Sequence, residues 1–473
     1  MKSTILLLAL AAGLAASSAR AQFANFPAAD RVLGALNFTT VGSGAATAST
    51  MNRPSGLAVD PVSGKLFVAD SFNHRILRFA NAAALASGAS AEAVIGQSDF
   101  TTGAAGPANA GGLNQPFELH VDGSGRLWVS DRKNNRVLMY TAASSLSATG
   151  ATPTLVLGQP DLTTVSVGTS ATKMNEPVDV FVDAADNLWV VEYLNSRVLK
   201  FANVSSLSNG AAATTVLGQS SFSTSAIGTS ASTMRNPGGL VVDGTGRLWV
   251  TDYFNHRILR FDNAASLASG ADASGVLGQP GFTTRTINRT AQGMSNPATP
   301  TIDSAGTLYV ADADNHRVLI FKNPATKAAG AAADGVIGQP DFVTTTIGTT
   351  ERKLNFPYGL ALDRSGHLWV SDYTNNRVLR FLSDRTAATP TLSGKAPKTT
   401  SRGKLTIKGT ATDASGIAQV RFRVGKGGFL TAKGTTAWSF KAKLKPGKNT
   451  IEIVVVDAFG NVSPAKRVKV TRQ

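Results

Sequence analysis

The sequence predicts an all-β chain: a six-bladed β-propeller closed by an N-terminal strand, followed by a small β-sandwich. Three observations predict it. One long motif returns six times at a near-constant step, each copy reads as short apolar strands joined by turns, and after Phe381 the rhythm gives way to cleanly alternating segments.

The repeated motif runs RPSGLAVDPVSGKLFVADSFNHRILRF from Arg53 to Phe79 and returns from Gln115, Glu176, Asn236, Asn296 and Phe356. Its closing acid stands at Asp70, Asp131, Glu192, Asp252, Asp312 and Asp372, in steps of 61, 61, 60, 60 and 60 residues. Within each copy, LAVD-, LFVAD- and RILRF-like runs are strands rich in Val, Leu and aromatics. A fourth run, V-[LI]-G-Q, follows an Ala/Ser-rich connection. Four strands per unit at this period are propeller blades, because each twisted sheet packs on its neighbours around an axis. The fourth-strand motif occurs five times after the repeats, around Gly96, Gly158, Gly218, Gly278 and Gly338, whereas a spare copy, RVLGALNFTT (Arg31–Thr40), precedes the first. That displaced copy is expected to complete the last blade and close the ring over residues 22–383.

The elements N-P-x-G-[LIV]-x-[VIL]-D, G-x-L-[WYF]-V-x-D and N-H-R-[VI]-L-x-F, as in Asn255-His256-Arg257-Ile258-Leu259, resemble the NHL-repeat family. The resemblance implies a propeller but no single activity. Its members include RNA-binding ends of ubiquitin ligases, a peptide-amidating lyase and exported bacterial scaffolds, and the long period here is similar to the bacterial secreted type. The lyase's disulfides have no counterpart, since the chain lacks cysteine. That absence also excludes thiolate metal sites and a Cys nucleophile.

Residues present in every unit read as structural. The Asp/Glu–Arg pair of D-x-x-N-x-R pins the turn between second and third strands by a charge-assisted hydrogen bond. His74, His256 and His316 alternate with Asn135, Ser196 and Asn376 at the next position, which marks a polar, exposed turn. The Trp residues of LWV, at 128, 189, 249 and 369, read as core between blades.

Departures from the repeat carry the candidate site. The loop into the innermost strand reads P-x-G at Gly56, Gly239 and Gly359, but holds Glu118, Asp179 and Thr299 in the second, third and fifth units. Two carboxylates on adjacent blades, with His120 two residues on, are expected at the channel mouth, where they would hold a hard divalent cation (calcium or zinc) or act as an acid–base pair. Tyr193, Tyr253 and Tyr373 after the second strand, and Tyr358 with Phe117 at the inner entrance, extend this set to an aromatic rim suited to a glycan or peptide. No G-x-S-x-G, H-E-x-x-H or phosphate-binding glycine loop is present.

Residues 384–403 read as a Pro/Ser/Thr/Lys linker. The alternating runs KLTIKG, VRFRVG, WSFKAKLK, NTIEIVVVD and RVKVT in 404–473 then predict the sandwich, and they resemble Ig-like modules of bacterial secreted proteins. The net charge of +16 resolves along the chain: residues 22–383 hold 26 charges of each sign, whereas residues 384–473 hold 18 Lys and Arg against 4 Asp and Glu. Arg421 and Arg423, then Lys441, Lys443 and Lys445, alternate with apolar neighbours, which points to a polyanion partner such as an envelope polymer or anionic lipid. Export disfavours nucleic acid.

Export itself is read from residues 1–21. Lys2, the apolar run Ile5–Ala16 and Ala19-Arg20-Ala21 make a secretory signal peptide, and no later run is long enough to span a bilayer. The sequence therefore predicts a bacterial secreted or periplasmic binding scaffold. The propeller face would take a peptide, glycan or protein, and the basic tail an anionic envelope polymer. The alternative is a metal-dependent lyase or lactonase/esterase at the channel mouth.

Overall fold

A computed structural model describes residues 26–106, 111–383, 387–413, 417–457 and 461–473, so the expected signal peptide lies outside the described residues. The chain divides into two compact units that meet in sequence at Ser383 and Asp384. Among the described residues no helix is long and apolar enough to cross a membrane.

The first unit contains six four-stranded antiparallel sheets, an all-β, propeller-like arrangement. In the third, Pro177–Val182, Leu188–Glu192, Arg197–Phe201 and Thr215–Leu217 pair in chain order. The sixth differs. Its strands Pro357–Leu362, Leu368–Asp372 and Arg377–Phe381 are completed by Ala29–Leu33, with Leu33 opposite Val378 and Arg31 opposite Arg380. The displaced strand copy in the sequence thus lies where it was expected. Arg380 secures it through two bonds to the Asp30 carboxylate, at 2.7 and 2.9 Å.

Each second strand ends in the recurring acid, and each third strand begins with the recurring arginine. All six pairs are fully buried, with N···O distances of 2.5–2.8 Å. In the fourth unit Asp252 also accepts the Arg235 backbone N–H and the Asn255 amide, while Arg257 donates to the carbonyls of Ser230 and Thr233. The pair is therefore a hub joining the loop before the innermost strand to the turn after the second. Such saturation is what makes a buried ion pair tolerable, since each charge has several partners in place of water.

The turn residue one position before that arginine is left-handed in every unit, with φ between 50° and 53°. It is not the exposed turn expected from its composition. It accepts a hydrogen bond from the first residue of the next repeat: His74 Nδ1 from Gln115 N at 3.0 Å, Asn135 Oδ1 from Glu176 N at 3.0 Å, Ser196 Oγ from Asn236 N at 3.3 Å. His256 and His316 do the same for Asn296 and Phe356, and Asn376 for Arg53. His, Asn and Ser interchange here because each offers a short-reach acceptor. The indoles of Trp128, Trp189, Trp249 and Trp369 are buried and donate to Asp122, Asp183, Asp243 and Asp363 of the first turn. Glycine is required at Gly158 of the V-L-G-Q run: its φ is +83°, and a Cβ there would lie 2.7 Å from Met174.

In the second unit, Thr389–Leu392, Lys404–Thr412 and Ala437–Lys443 form one sheet. The other is ordered Thr399–Thr400, Lys466–Arg472, Gly447–Asp457, Ile417–Val424, Leu430–Thr431. Phe422 and Phe440 stack at 3.8 Å in the core between them. Part of the expected 384–403 linker is therefore strand. Thr389–Leu392 pairs with Gly409–Thr412, and Thr399 and Thr400 pair in parallel with Thr471 and Arg472, burying Pro390 at the sandwich edge. Pro, Ser and Thr read as linker residues by composition, but edge strands tolerate them.

Candidate functional site

The innermost strands of all six sheets line a cavity of about 400 Å³. It runs from Glu118, Asp179 and Thr299 to the turn residues Pro61 and Gly123. Glu118 and Asp179 line it from strands that begin with an irregular register, between Pro116 and Leu119 and between Pro177 and Asp179.

Both acids are buried and already bonded. Glu118 Oε1 accepts the Thr299 hydroxyl at 2.6 Å, so the second and fifth repeats are joined directly. Asp179 accepts the Leu240 N–H at Oδ2 and the Val180 N–H at Oδ1, both at 2.7 Å. Gly56 and Gly239 make room: a Cβ at Gly56 would fall 2.9 Å from the Glu118 carboxylate, and one at Gly239 3.1 Å from that of Asp179. Burial raises Asp179 to about 7. Burial, then the neighbouring Asp179 charge, pushes Glu118 well above the ordinary carboxylate range. His120, half-buried with its ring 4.4 Å from that of Phe181, is held down to about 4 by burial.

Among the described residues no three His, Cys, Asp or Glu side chains converge as a metal cluster, and each carboxylate already accepts protein hydrogen bonds. Glu118 and Asp179 thus lie within the channel wall, tied to their neighbours.

None of the tyrosines lines the cavity, and of them Tyr358 feels the Glu118 charge. Phe117 and Tyr358, both buried, meet edge to face at 4.8 Å at the start of the innermost strands. Around them are half-buried rings: Tyr373 is 6.0 Å from Tyr358, Phe72 is 6.4 Å from Tyr373, and Tyr193 is 6.3 Å from Tyr253. Sequence reasoning missed the arginines among these rings. Arg132 lies over Phe117 at 4.9 Å and Tyr193 at 5.6 Å, paired with Glu176 at 2.6 Å. Exposed Arg53 lies over Phe72 at 4.7 Å and Tyr373 at 5.9 Å. The available signal was positional: Arg132 follows Asp131 where Tyr193, Tyr253 and Tyr373 follow their acids.

In the second unit four of the five expected polyanion contacts fall on two sheets. Arg421 and Arg423 belong to Ile417–Val424, where Arg423 pairs with Glu452 at 2.5 Å and Arg421 lies over Phe429 at 5.9 Å. Lys441 and Lys443 belong to Ala437–Lys443, and Lys445 follows it; all three are exposed.

Residues 51–79, 234–261, 296–321 and 354–381 match the NHL repeat, and residues 390–453 match a bacterial Ig domain. The two repeats outside these stretches are those whose innermost strands carry Glu118 and Asp179. NHL repeat-containing protein 3 of Mus musculus is 26% identical over 166 residues, covering 32% of this chain and 41% of that protein. Its Homo sapiens counterpart is 26% identical over 148 residues, covering 29% and 35%. The chain therefore spans about two-fifths of these relatives' length or less. Among solved structures, a streptogramin B lyase is similar at a TM-score of 0.42 and 12% identity, covering 71% of this chain and 94% of that one. A Xanthomonas campestris gluconolactonase gives 0.41 and 13%, covering 77% and 99%. A Bacteroides thetaiotaomicron protein of unknown function gives 0.47 and 14%, covering 75% and 76%. The chain carries NHL repeats and, C-terminal to them, a bacterial Ig domain.

Proposed function

We propose that the six sheets are the blades of one closed ring and that the protein is an exported bacterial binding scaffold, secreted or periplasmic. Its aromatic–arginine rim takes a glycan or peptide, and its basic tail binds an envelope polyanion. The observation that carries the reading is Arg132 set between Phe117 and Tyr193. Flat rings and fixed guanidinium donors at one mouth suit a ligand with apolar faces and several oxygen acceptors. The acids deeper in the ring serve as tethers between blades. Titrating oligosaccharides and short peptides against the parent and a Tyr193→Ala/Tyr373→Ala variant tests this. Ligands of the parent should lose at least tenfold in affinity, and equal affinity for both proteins would sink the idea.

One observation favours a second reading, a lyase or lactonase/esterase. Asp179 and His120 are displaced in opposite directions within the same cavity, the pattern of groups tuned for proton transfer. Lactone or ester turnover that falls at least a hundredfold in Asp179→Asn would put this reading first.

A further inference from the structure

The tail's cations are not spread evenly. On the five-stranded sheet Glu452 sits between Arg423 and Arg467, opposite both in register and paired with both. The three-stranded sheet has no such acid. Its outward residues are Thr389 and Thr391 on the first strand, Lys404, Thr406, Lys408 and Thr410 on the second, and Ser439, Lys441 and Lys443 on the third. Lys404 stands directly opposite Lys443, both exposed, with no carboxylate in ion-pair reach among the described residues. Like charges facing each other across a strand pair weaken a sheet, so fold stability alone does not account for this arrangement.

Alternate residues along a strand lie about 6.8 Å apart and adjacent strands about 4.8 Å apart, so the four lysines share one face of the sheet within roughly 14 Å. Hydroxyls fill the positions between them. Trp438 and Phe440 pack beneath, and Gly409, directly opposite Trp438 on the neighbouring strand, leaves room for its ring, which a Cβ would meet at 2.1 Å. The outward positions of these strands carry no aromatic side chain on which one polymer chain would stack. Ammonium groups on one sheet face, interleaved with hydroxyl donors, match the many phosphodiesters of a lipid surface, which several of them can touch at once.

We propose that this face, centred on Lys404, Lys408, Lys441 and Lys443, docks on an anionic phospholipid surface. The proposal rests on the reading of the tail as a polyanion binder and narrows it to one sheet and one partner.

The test uses the full chain and co-sedimentation with phosphatidylcholine vesicles containing about 30% phosphatidylglycerol, at low salt. One variant carries Lys404→Thr, Lys408→Thr, Lys441→Thr and Lys443→Thr, threonine being already at home on this face. A control of equal charge carries Lys426→Thr, Lys448→Thr, Lys466→Thr and Lys469→Thr. Each lysine at a membrane surface is worth roughly fivefold in partitioning. The face variant should lose on the order of a hundredfold or more, and the control less than tenfold. Equal losses would mean that net charge alone acts, and an unimpaired face variant would mean that another surface binds; either overturns the proposal. If the parent binds a soluble polyuronate but not the vesicles, the lipid assignment fails and the polyanion reading stands. If it binds neither, both fail. Circular dichroism checks folding, and the pairs Lys404→Thr/Lys408→Thr and Lys441→Thr/Lys443→Thr, each expected to lose about half the effect on a logarithmic scale, serve if the fourfold variant unfolds.

Discussion

Asn376 Oδ1 accepts the backbone N–H of Arg53 at 2.8 Å, joining the sixth repeat to the first across 323 positions of sequence. The same bond, made by His74, Asn135, Ser196, His256 and His316, joins every other repeat to the next. Replacing Asn376 by Ala should cost at least about 1 kcal/mol, since it removes this bond and a second to the Gly42 carbonyl and leaves Ala at a left-handed φ. Asn135→Ala, which cuts an internal link, should cost a similar amount. Urea unfolding of the two variants beside the parent checks this, and a loss confined to Asn135→Ala would argue against closure through Asn376.

Acid should weaken the first unit. Burial lowers the pKa of His74, His256 and His316, whose neutral rings accept these links, and holds His120 down to about 4. The unfolded chain takes up these protons near pH 6.5 and the folded protein only lower. The stability they contribute is therefore complete above about 6.5 and drains as the pH falls through the folded values. Asn already serves at positions 135 and 376, so a His74→Asn/His256→Asn/His316→Asn variant should match the parent at pH 7.5 and lose less on going to pH 5, in thermal melts.

Asp179 runs the other way. Its folded pKa of about 7 lies above the unfolded value near 4, so its contribution is full at low pH and lost as the pH rises to about 7. Asp179→Asn sacrifices one acceptor yet cannot ionise. Its stability relative to the parent should improve steadily from pH 4 to pH 8, and a flat difference across that range would show that the Asp179 carboxyl does not titrate there.

Breaking one recurring ion pair should be severe. Asp252→Ala leaves Arg257 charged in a fully buried position, at an expected cost of about 3–5 kcal/mol. The double change Asp252→Leu/Arg257→Met should cost less than that single one, a comparison that solubility and thermal melting can make.

The repeats, the four strands of each and the displaced first strand were all readable because hydrophobic period and turn residues are local signals. The role of the D-x-x-N-x-R pair was readable for the same reason. What the sequence hid lies between repeats. Nothing near His316 in sequence announces that its imidazole serves Phe356, 40 residues on. Glu118 bonds Thr299 from a repeat 181 positions away, and strand alternation does not report such a partner. In the tail, alternation identified outward cations correctly but could not assign Arg423 and Lys441 to different sheets, since that depends on pairing between distant strands.

The partnership between Ala29–Leu33 and Arg377–Phe381 sets an order of events during synthesis. The strand made first meets its partner only after the rest of the repeats have been made. Until then Ala29–Leu33 has no ladder partner, and its unsatisfied backbone groups are a template for the wrong chain. Any cell making this protein must keep that strand apart from other polypeptides for the time it takes to add some 350 residues.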